Sequence, residues 1–298
     1  MTRLGDDALP VETWIFFALG GLAVAALALD ASMLSAEALL VVLVLSVSLA
    51  GLPHGALDPW IAWQSGLWRG RWGWLAFNLV YLAVAAVVVA VWRFAPGFSL
   101  ALFLAISAWH FGGDWRQDLP GWARAVAGSA LLALPALRWP TEVSNAFAAL
   151  AGPDGAKIAE RLAAAAPWLA AGMAASALLA WRRARATTLE LAVVAGLALL
   201  LPPLVYFIVY FCALHSLRHL RIAARDADAR SRRRMVRVAL IYTVLALLAA
   251  AAAWPWLASG TAVPQAGVLK LVFIGLAALT LPHMLVVMWF EYRRVPHP

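Results

Sequence analysis

Cysteine is nearly absent from this 298-residue sequence, which contains only Cys212. A single thiol cannot close an intrachain disulfide, so a disulfide-stabilised framework is excluded. The sequence also lacks the cysteine clusters that hold iron–sulfur centres and the carboxylate-rich clusters that suit magnesium. A metal site in this chain would therefore depend on other side chains.

Charged residues are also scarce, at 13% of the chain, whereas hydrophobic residues make up 64%. Soluble domains carry about 25% charged and about 45–50% apolar residues. With a mean hydropathy of +0.84, the composition excludes a disordered chain and a soluble enzyme. The sequence instead predicts a protein that crosses the membrane several times.

Lysine is rare too, with two residues against 21 arginines, and the net charge is +8. In a soluble protein this balance would suggest nucleic-acid binding. Here the arginines cluster in short connections between apolar runs, as in 182–186 and 223–234. The positive-inside rule explains that distribution, so we expect a lipid bilayer and no nucleic acid as partner.

Ten apolar segments approach the length of about 17–25 residues that a membrane helix needs. They predict an all-α fold, a polytopic bundle of about 8–10 membrane segments forming one integral membrane domain over residues 1–298. The predicted segments are 13–29, 37–63, 73–95, 97–112, 121–137, 161–181, 187–201, 203–222, 235–257 and 268–291.

Arginine positions predict the orientation of this bundle. With both termini cytoplasmic, each arginine-rich connection lies inside, and the protein is a multi-pass protein of the plasma (inner) membrane. This requires residues 187–222 to turn back at Pro202-Pro203, since consecutive prolines break the helical hydrogen-bond ladder. Segment 187–201 is short and could instead be re-entrant. The polar connection 138–160 should form a short amphipathic helix with a turn at 152–155.

Five of the six histidines lie within apolar segments, where ionisable groups are costly and usually functional. The sixth, His297, lies in the C-terminal tail and is not expected to contribute. In the predicted topology the five come from four helices and reach a similar depth in one leaflet. They are His54, His110, His215, His219 and His283.

His215 and His219 are four residues apart, which places both imidazoles on one helix face. His54 and His110 are each followed four residues later by a carboxylate, Asp58 and Asp114. Such carboxylates often orient a metal-bound histidine, so both are candidates for that role or for direct ligation. Imidazole suits iron, copper, zinc and nickel, and spacing alone does not choose among them. His283, beside Pro282, is either an additional ligand or a packing residue.

These motifs resemble the Brp/Blh family of bacterial membrane β-carotene 15,15′-dioxygenases. The matching stretches are Gly51-Leu-Pro-His54-Gly-Ala-Leu-Asp58, Ser107-Ala-Trp-His110-Phe-Gly-Gly-Asp114, His215-Ser-Leu-Arg-His219 and Pro282-His283. They follow the family's order between about residues 50 and 290. The resemblance implies a membrane enzyme whose non-haem Fe(2+) is held by His54, His110, His215 and His219, with no catalytic side chain beyond the metal centre.

The implied reaction is O2-dependent cleavage of the central double bond of β-carotene, or of a related carotenoid, to two molecules of retinal. Aromatic side chains near the histidines are candidates to line the substrate site: Trp60, Trp63, Trp109, Phe111, Tyr206, Phe207, Tyr210 and Phe211. Tryptophan and tyrosine are also common at membrane interfaces whatever the function. The N-terminal helix, segment 138–160 and the 16 tryptophans look less typical of the family.

Other functions use similar residues. A haem-binding electron-transfer protein would use paired histidines on facing helices. This alternative is disfavoured because the histidines share one predicted depth and because His215 and His219 lie on one helix face. A transporter could use the histidines and aspartates as proton relays, but no inverted repeat is visible. A diiron desaturase would need more histidines than this chain has.

Overall fold

The computed structural model describes residues 9–29, 35–225, 227–257 and 263–294, and these form helices and no strand. Both ends of the chain and His297 lie outside the described residues, as do residues 258–262 of the connection 258–267. The α-helices are α1 Val11–Leu29, α2 Ala36–Ser46, α3 Leu52–Gly55, α4 Asp58–Gln64, α5 Gly70–Phe94, α6 Pro96–Gly112, α7 Gly121–Ala133, α8 Pro135–Arg138, α9 Pro140–Ala180, α10 Arg185–Leu200, α11 Pro203–Ile208, α12 Leu217–Ala224, α13 Ala229–Leu257 and α14 Pro264–Arg294.

Seven helical stretches among the described residues are long and apolar enough to cross a membrane, which confirms the all-α membrane fold. The shorter helices α6, α7 and α10 correspond to the other predicted segments. The seven are Val11–Leu29, Ala36–Gln64, Gly70–Phe94, Pro140–Ala180, Pro203–Ala224, Ala229–Leu257 and Pro264–Phe290.

The chain turns back at Pro202, as predicted. Leu201 and Pro202 are extended and separate α10 from α11. Near the start of α10, Glu190 accepts a hydrogen bond from Thr13 of α1. In α12, Arg221 donates to Glu12, the neighbour of Thr13. The start of α10 and the end of α12 therefore lie at the same end of the molecule, which confirms the hairpin.

Segment 138–160 differs from the prediction because most of it is helical and continuous with the following membrane helix. Helix α9 is interrupted only at Ala151 and Gly152, where Gly152 has φ +61°. This positive φ suits glycine, and Pro153 then restarts the helix at a position that needs no N–H donor. The break lies at Ala151 and Gly152, one residue before the predicted turn at 152–155, and residues 153–155 are already helical. The membrane helix begins well before residue 161 because its alanine-rich sequence favours helix.

The main core lies between α1, α7, α10 and the segment after α11, where Phe16, Leu131, Leu191 and Leu214 are almost fully buried. Helices α5 and α13, in contrast, bury almost none of their side chains fully. Apolar surface of this kind is expected to face lipid. The two peripheral helices border the cavity described below.

Candidate metal centre

Local breaks in helical geometry position the histidines. A π-helical segment, Val47–Gly51, precedes His54, and a second one, Val209–Ser216, carries His215. Such widened turns are rare and occur frequently at functional sites. His110 lies near the end of α6, and His283 follows Pro282 inside α14.

The five histidines form one compact group, called here the histidine cluster: His54, His110, His215, His219 and His283. The ring centroid of His215 lies 4.6 Å from that of His110, 4.5 Å from His219 and 5.3 Å from His54. Four helical regions that are distant in sequence therefore meet at one point. This agrees with the similar depth predicted for the five histidines.

Ring nitrogens in the cluster are close enough to share an ion. Those of His54, His110 and His215 lie within 4.8 Å of one another. A carboxylate oxygen of Asp114 forms a second such group with nitrogens of His215 and His219. Because His215 belongs to both groups, it connects the four predicted ligands.

Hydrogen bonds engage Nδ1 atoms of the cluster and leave some of its Nε2 atoms available for a ligand. Nδ1 of His54 lies 2.5 Å from the carbonyl oxygen of Gly51, and Nδ1 of His215 lies 3.1 Å from both oxygens of Asp114. Buried Nε2 atoms of His215 and His283 have no hydrogen-bond partner among the described residues. Unpaired buried polar atoms are costly, so these imidazoles fit a metal ion or another ligand.

Each aspartate contacts a histidine from a distant helix. Asp114 approaches His215, and Oδ1 of Asp58 lies 2.7 Å from Nδ1 of His283. Their other partners are tyrosines: Tyr210 donates to Asp114 at 2.6 Å and Tyr81 donates to Asp58 at 2.8 Å. The aspartates thus fix ring orientation across helices, an arrangement common around metal-bound histidines.

A buried charged network behind Asp114 was missed by the sequence analysis. Arg218 donates through Nη1 to the backbone carbonyl of Asp114 and through Nη2 to Glu190. Glu190 also accepts from Trp115, the residue after Asp114, and from Thr13. Acidic residues inside apolar segments were the available signal, since such groups are rarely placed there without a partner.

A cavity of about 810 Å³, called here the central cavity, reaches His54, His110 and His283. It follows α14 from Leu271 to His283, about 18 Å at 1.5 Å per residue. Most of its other lining residues are aliphatic or aromatic, including Val89, Phe103 and Leu276. The cavity therefore accommodates an elongated apolar molecule that passes beside the histidine cluster.

Five of the eight candidates predicted to line the substrate site line this cavity: Phe111, Tyr206, Phe207, Tyr210 and Phe211. The other three lie elsewhere. Trp109 is 61% exposed on the outer surface. Trp60 and Trp63 line a separate groove of about 220 Å³, called here the aromatic groove: Pro59, Trp60, Trp63, Trp68, Trp74, Arg234, Val238 and Tyr242.

Comparisons with known proteins identify the family and relatives of this chain. The family described as "Beta-carotene 15,15'-dioxygenase" matches residues 45–291. A β-carotene 15,15′-dioxygenase from an uncultured marine bacterium is 32% identical over 245 residues, covering 80% of this chain and 88% of its own length. A probable β-carotene 15,15′-dioxygenase Blh from Halobacterium salinarum is 30% identical, with 92% and 91% covered. No solved structure matches.

The matched region contains the whole histidine cluster, the two aspartates and most of the central cavity. By the length of this match and the identity to both relatives, the chain belongs to the β-carotene 15,15′-dioxygenase family of carotenoid-cleaving dioxygenases.

Proposed function

We propose that this protein cleaves β-carotene with O2 at the central 15,15′ double bond and releases two molecules of retinal. One observation carries the proposal: the grouped histidines border an elongated apolar cavity inside a member of this family. Both oxygen atoms end in the two aldehydes, so no further reductant is needed. Family membership does not favour the haem-protein or transporter alternatives.

Fe(2+) is the proposed cofactor, with His54, His110, His215 and His219 as ligands. Neutral imidazoles are suitable donors for it, and the unpartnered Nε2 of His215 is available to bind. When bound, the iron would supply the O2 chemistry. His283 and Asp58 remain candidates for an additional ligand or an orienting contact, and Asp114 orients His215.

The protein's own contribution is to position the polyene and to exclude water. A carotenoid dissolves in the bilayer and offers no hydrogen-bonding group along its chain. The apolar walls of the central cavity suit such a molecule, and Phe111, Tyr206 and Tyr210 would flank it beside the histidines. We also propose that residues 1–298 form one catalytic domain in the plasma membrane, with both termini cytoplasmic.

Expression in bacteria that accumulate β-carotene tests the proposal directly. We expect pigment loss with retinal detected by HPLC. His215→Ala should abolish retinal formation and lower the iron content of the purified protein, while His297→Ala serves as a control outside the cluster. Longer apocarotenals would contradict central cleavage, and unchanged carotene with well-expressed protein would contradict the activity.

The central cavity can be tested separately from the metal. Gly275 lines it, and a Cβ built there meets nothing within 4 Å. Gly275→Leu should therefore fill part of the cavity and reduce retinal formation while bound iron stays unchanged. Gly196→Leu is the matched control, because Gly196 also has open space but does not line the cavity. Full activity of Gly275→Leu would exclude this part of the cavity from substrate binding.

A further inference from the structure

The aromatic groove lies directly beside the central cavity, and two residues, Pro59 and Tyr242, line both. Tyr242 donates to Oδ1 of Asn78, on the cavity side, and accepts from Nε1 of Trp74, on the groove side. The side chain of Tyr242 is thus a partition held by two hydrogen bonds. Its displacement would join the two spaces.

This partition is close to the place where the proposed reaction occurs. Pro59 follows Asp58, whose carboxylate contacts His283 of the histidine cluster. His283 is the last residue of α14 that lines the cavity. Products formed at the histidines therefore have their newly oxidised ends near Pro59, which also lines the groove.

Nitrogen donors of tryptophan and arginine line the aromatic groove. Trp68 and Trp74 use their indole N–H groups, towards the Pro59 carbonyl and Tyr242. Trp60 is 7% exposed, and its buried indole N–H has no acceptor among the described residues. Arg234 also lines the groove and adds a guanidinium group. An acceptor oxygen on an apolar, conjugated molecule would complement this set.

We propose that the aromatic groove binds the aldehyde product and forms its route out of the cavity, with Tyr242 as the movable partition. This rests on the proposed function, because the carbonyl oxygen exists only after cleavage. A carotene hydrocarbon has no acceptor for Trp60 or Arg234, whereas retinal has one. The donors therefore favour product over substrate in the groove.

Binding can be measured without turnover, using the full-length protein with its metal in detergent and without O2. Every protein in this experiment would also carry Gly275→Leu, so that the central cavity is partly filled and contributes little to the measured binding. All-trans-retinal is titrated while tryptophan fluorescence is followed, and the hydrocarbon with the same polyene but no carbonyl is the second probe. We expect retinal to bind more tightly than the hydrocarbon.

Trp60→Phe and Arg234→Gln should each weaken retinal binding roughly two- to tenfold, the effect of losing one hydrogen bond, and leave hydrocarbon binding unchanged. Trp168→Phe is the control, since Trp168 is 81% exposed and outside the groove. Equal retinal affinity in all variants would overturn the proposal, as would equal binding of both probes.

Release provides a second test. Tyr242→Phe keeps the aromatic wall but removes both hydrogen bonds, so stopped-flow measurements should show faster retinal dissociation than in the unsubstituted protein. An unchanged rate would exclude Tyr242 as the partition. If β-carotene is cleaved but groove variants bind retinal normally, only this inference fails. Retinal binding at the groove without carotene cleavage would instead contradict the proposed function.

Discussion

Asp114 joins several side chains around the histidine cluster. It accepts from Tyr210, lies 3.1 Å from Nδ1 of His215 and 3.6 Å from Nε2 of His219. Arg218 holds its backbone carbonyl. The carboxylate therefore fixes the orientation of His215 and presents Nε2 of that ring to the cluster.

Removing the charge of Asp114 should weaken metal binding. Asp114→Asn keeps the size but makes a poorer acceptor for His215, and changes to such orienting groups typically cost about 10–100-fold in metal affinity. Competition with a chelator would measure this for Fe(II). Asp118→Asn is the matched control, because Asp118 accepts from Thr187 and has no hydrogen bond or ion pair with a histidine in the part of the chain that the structure describes. Equal affinities in both variants would exclude an orienting role for Asp114.

Sequence spacing identified the two aspartates as important but not their partners. Asp58 follows His54 by four residues, yet the chain between them leaves the helix at Ala56 and Leu57. Asp58 therefore meets His283 of α14 instead. The sequence also did not predict that the hydroxyls of Tyr81 and Tyr210 donate to the two aspartates, since such contacts depend on how distant helices pack.

Helices α6 and α7 pack unusually closely beside His110. A Cβ at Gly128 would overlap the carbonyl of Ala108 and approach the backbone N of Gly112 at 2.8 Å. A Cβ at Gly112 would overlap the carbonyl of Arg124. The two glycines thus allow the backbones to touch, as small residues commonly do between membrane helices.

Gly128→Ala should separate these helices and displace His110. Overpacking of this kind costs about 1–3 kcal/mol, so we expect a lower thermal midpoint and less bound metal. Gly196→Ala, where a Cβ meets nothing within 4 Å, controls for the change of residue type. A variant with normal metal content would show that the α6–α7 spacing does not position His110.

Most helix positions were predictable to within a few residues, apart from the early start of α9, whereas the interruptions within residues 37–63 were not. Residues 37–63 read as one apolar run, but the structure divides them into α2, a π-helical segment, α3 and α4. Hydropathy detects the length of a membrane span and not its local hydrogen-bond pattern. Proline and glycine marked the breaks near Gly51, Pro53 and Pro59, while the π-helical segment Val209–Ser216 had no comparable signal.

Metal binding should stabilise the folded protein as a whole. The cluster connects α3, α6, the segment before α12, and α14, and it leaves buried nitrogens unpaired without a ligand. An ion at about 100 times its Kd adds about 2.7 kcal/mol to the stability of the state that binds it. Thermal unfolding followed by tryptophan fluorescence should therefore shift upward with Fe(II).

His215→Ala supplies the comparison for this shift. Its unfolding midpoint should respond little to the same Fe(II) concentration, because the variant lacks the His215 ring, which belongs to both candidate groups of ligands. An identical shift in both proteins would place the stabilising ion elsewhere in the molecule.

The histidine cluster draws its members from residue 54 to residue 283 of 298. During synthesis the chain emerges from its N-terminus, so most of the bundle can enter the bilayer before α14 exists. Only when α14 joins its neighbours does His283 meet Asp58. A metal ion can therefore meet the complete cluster only after α14 has joined the bundle, and binding at all five histidines depends on the metal that is available at that stage of assembly.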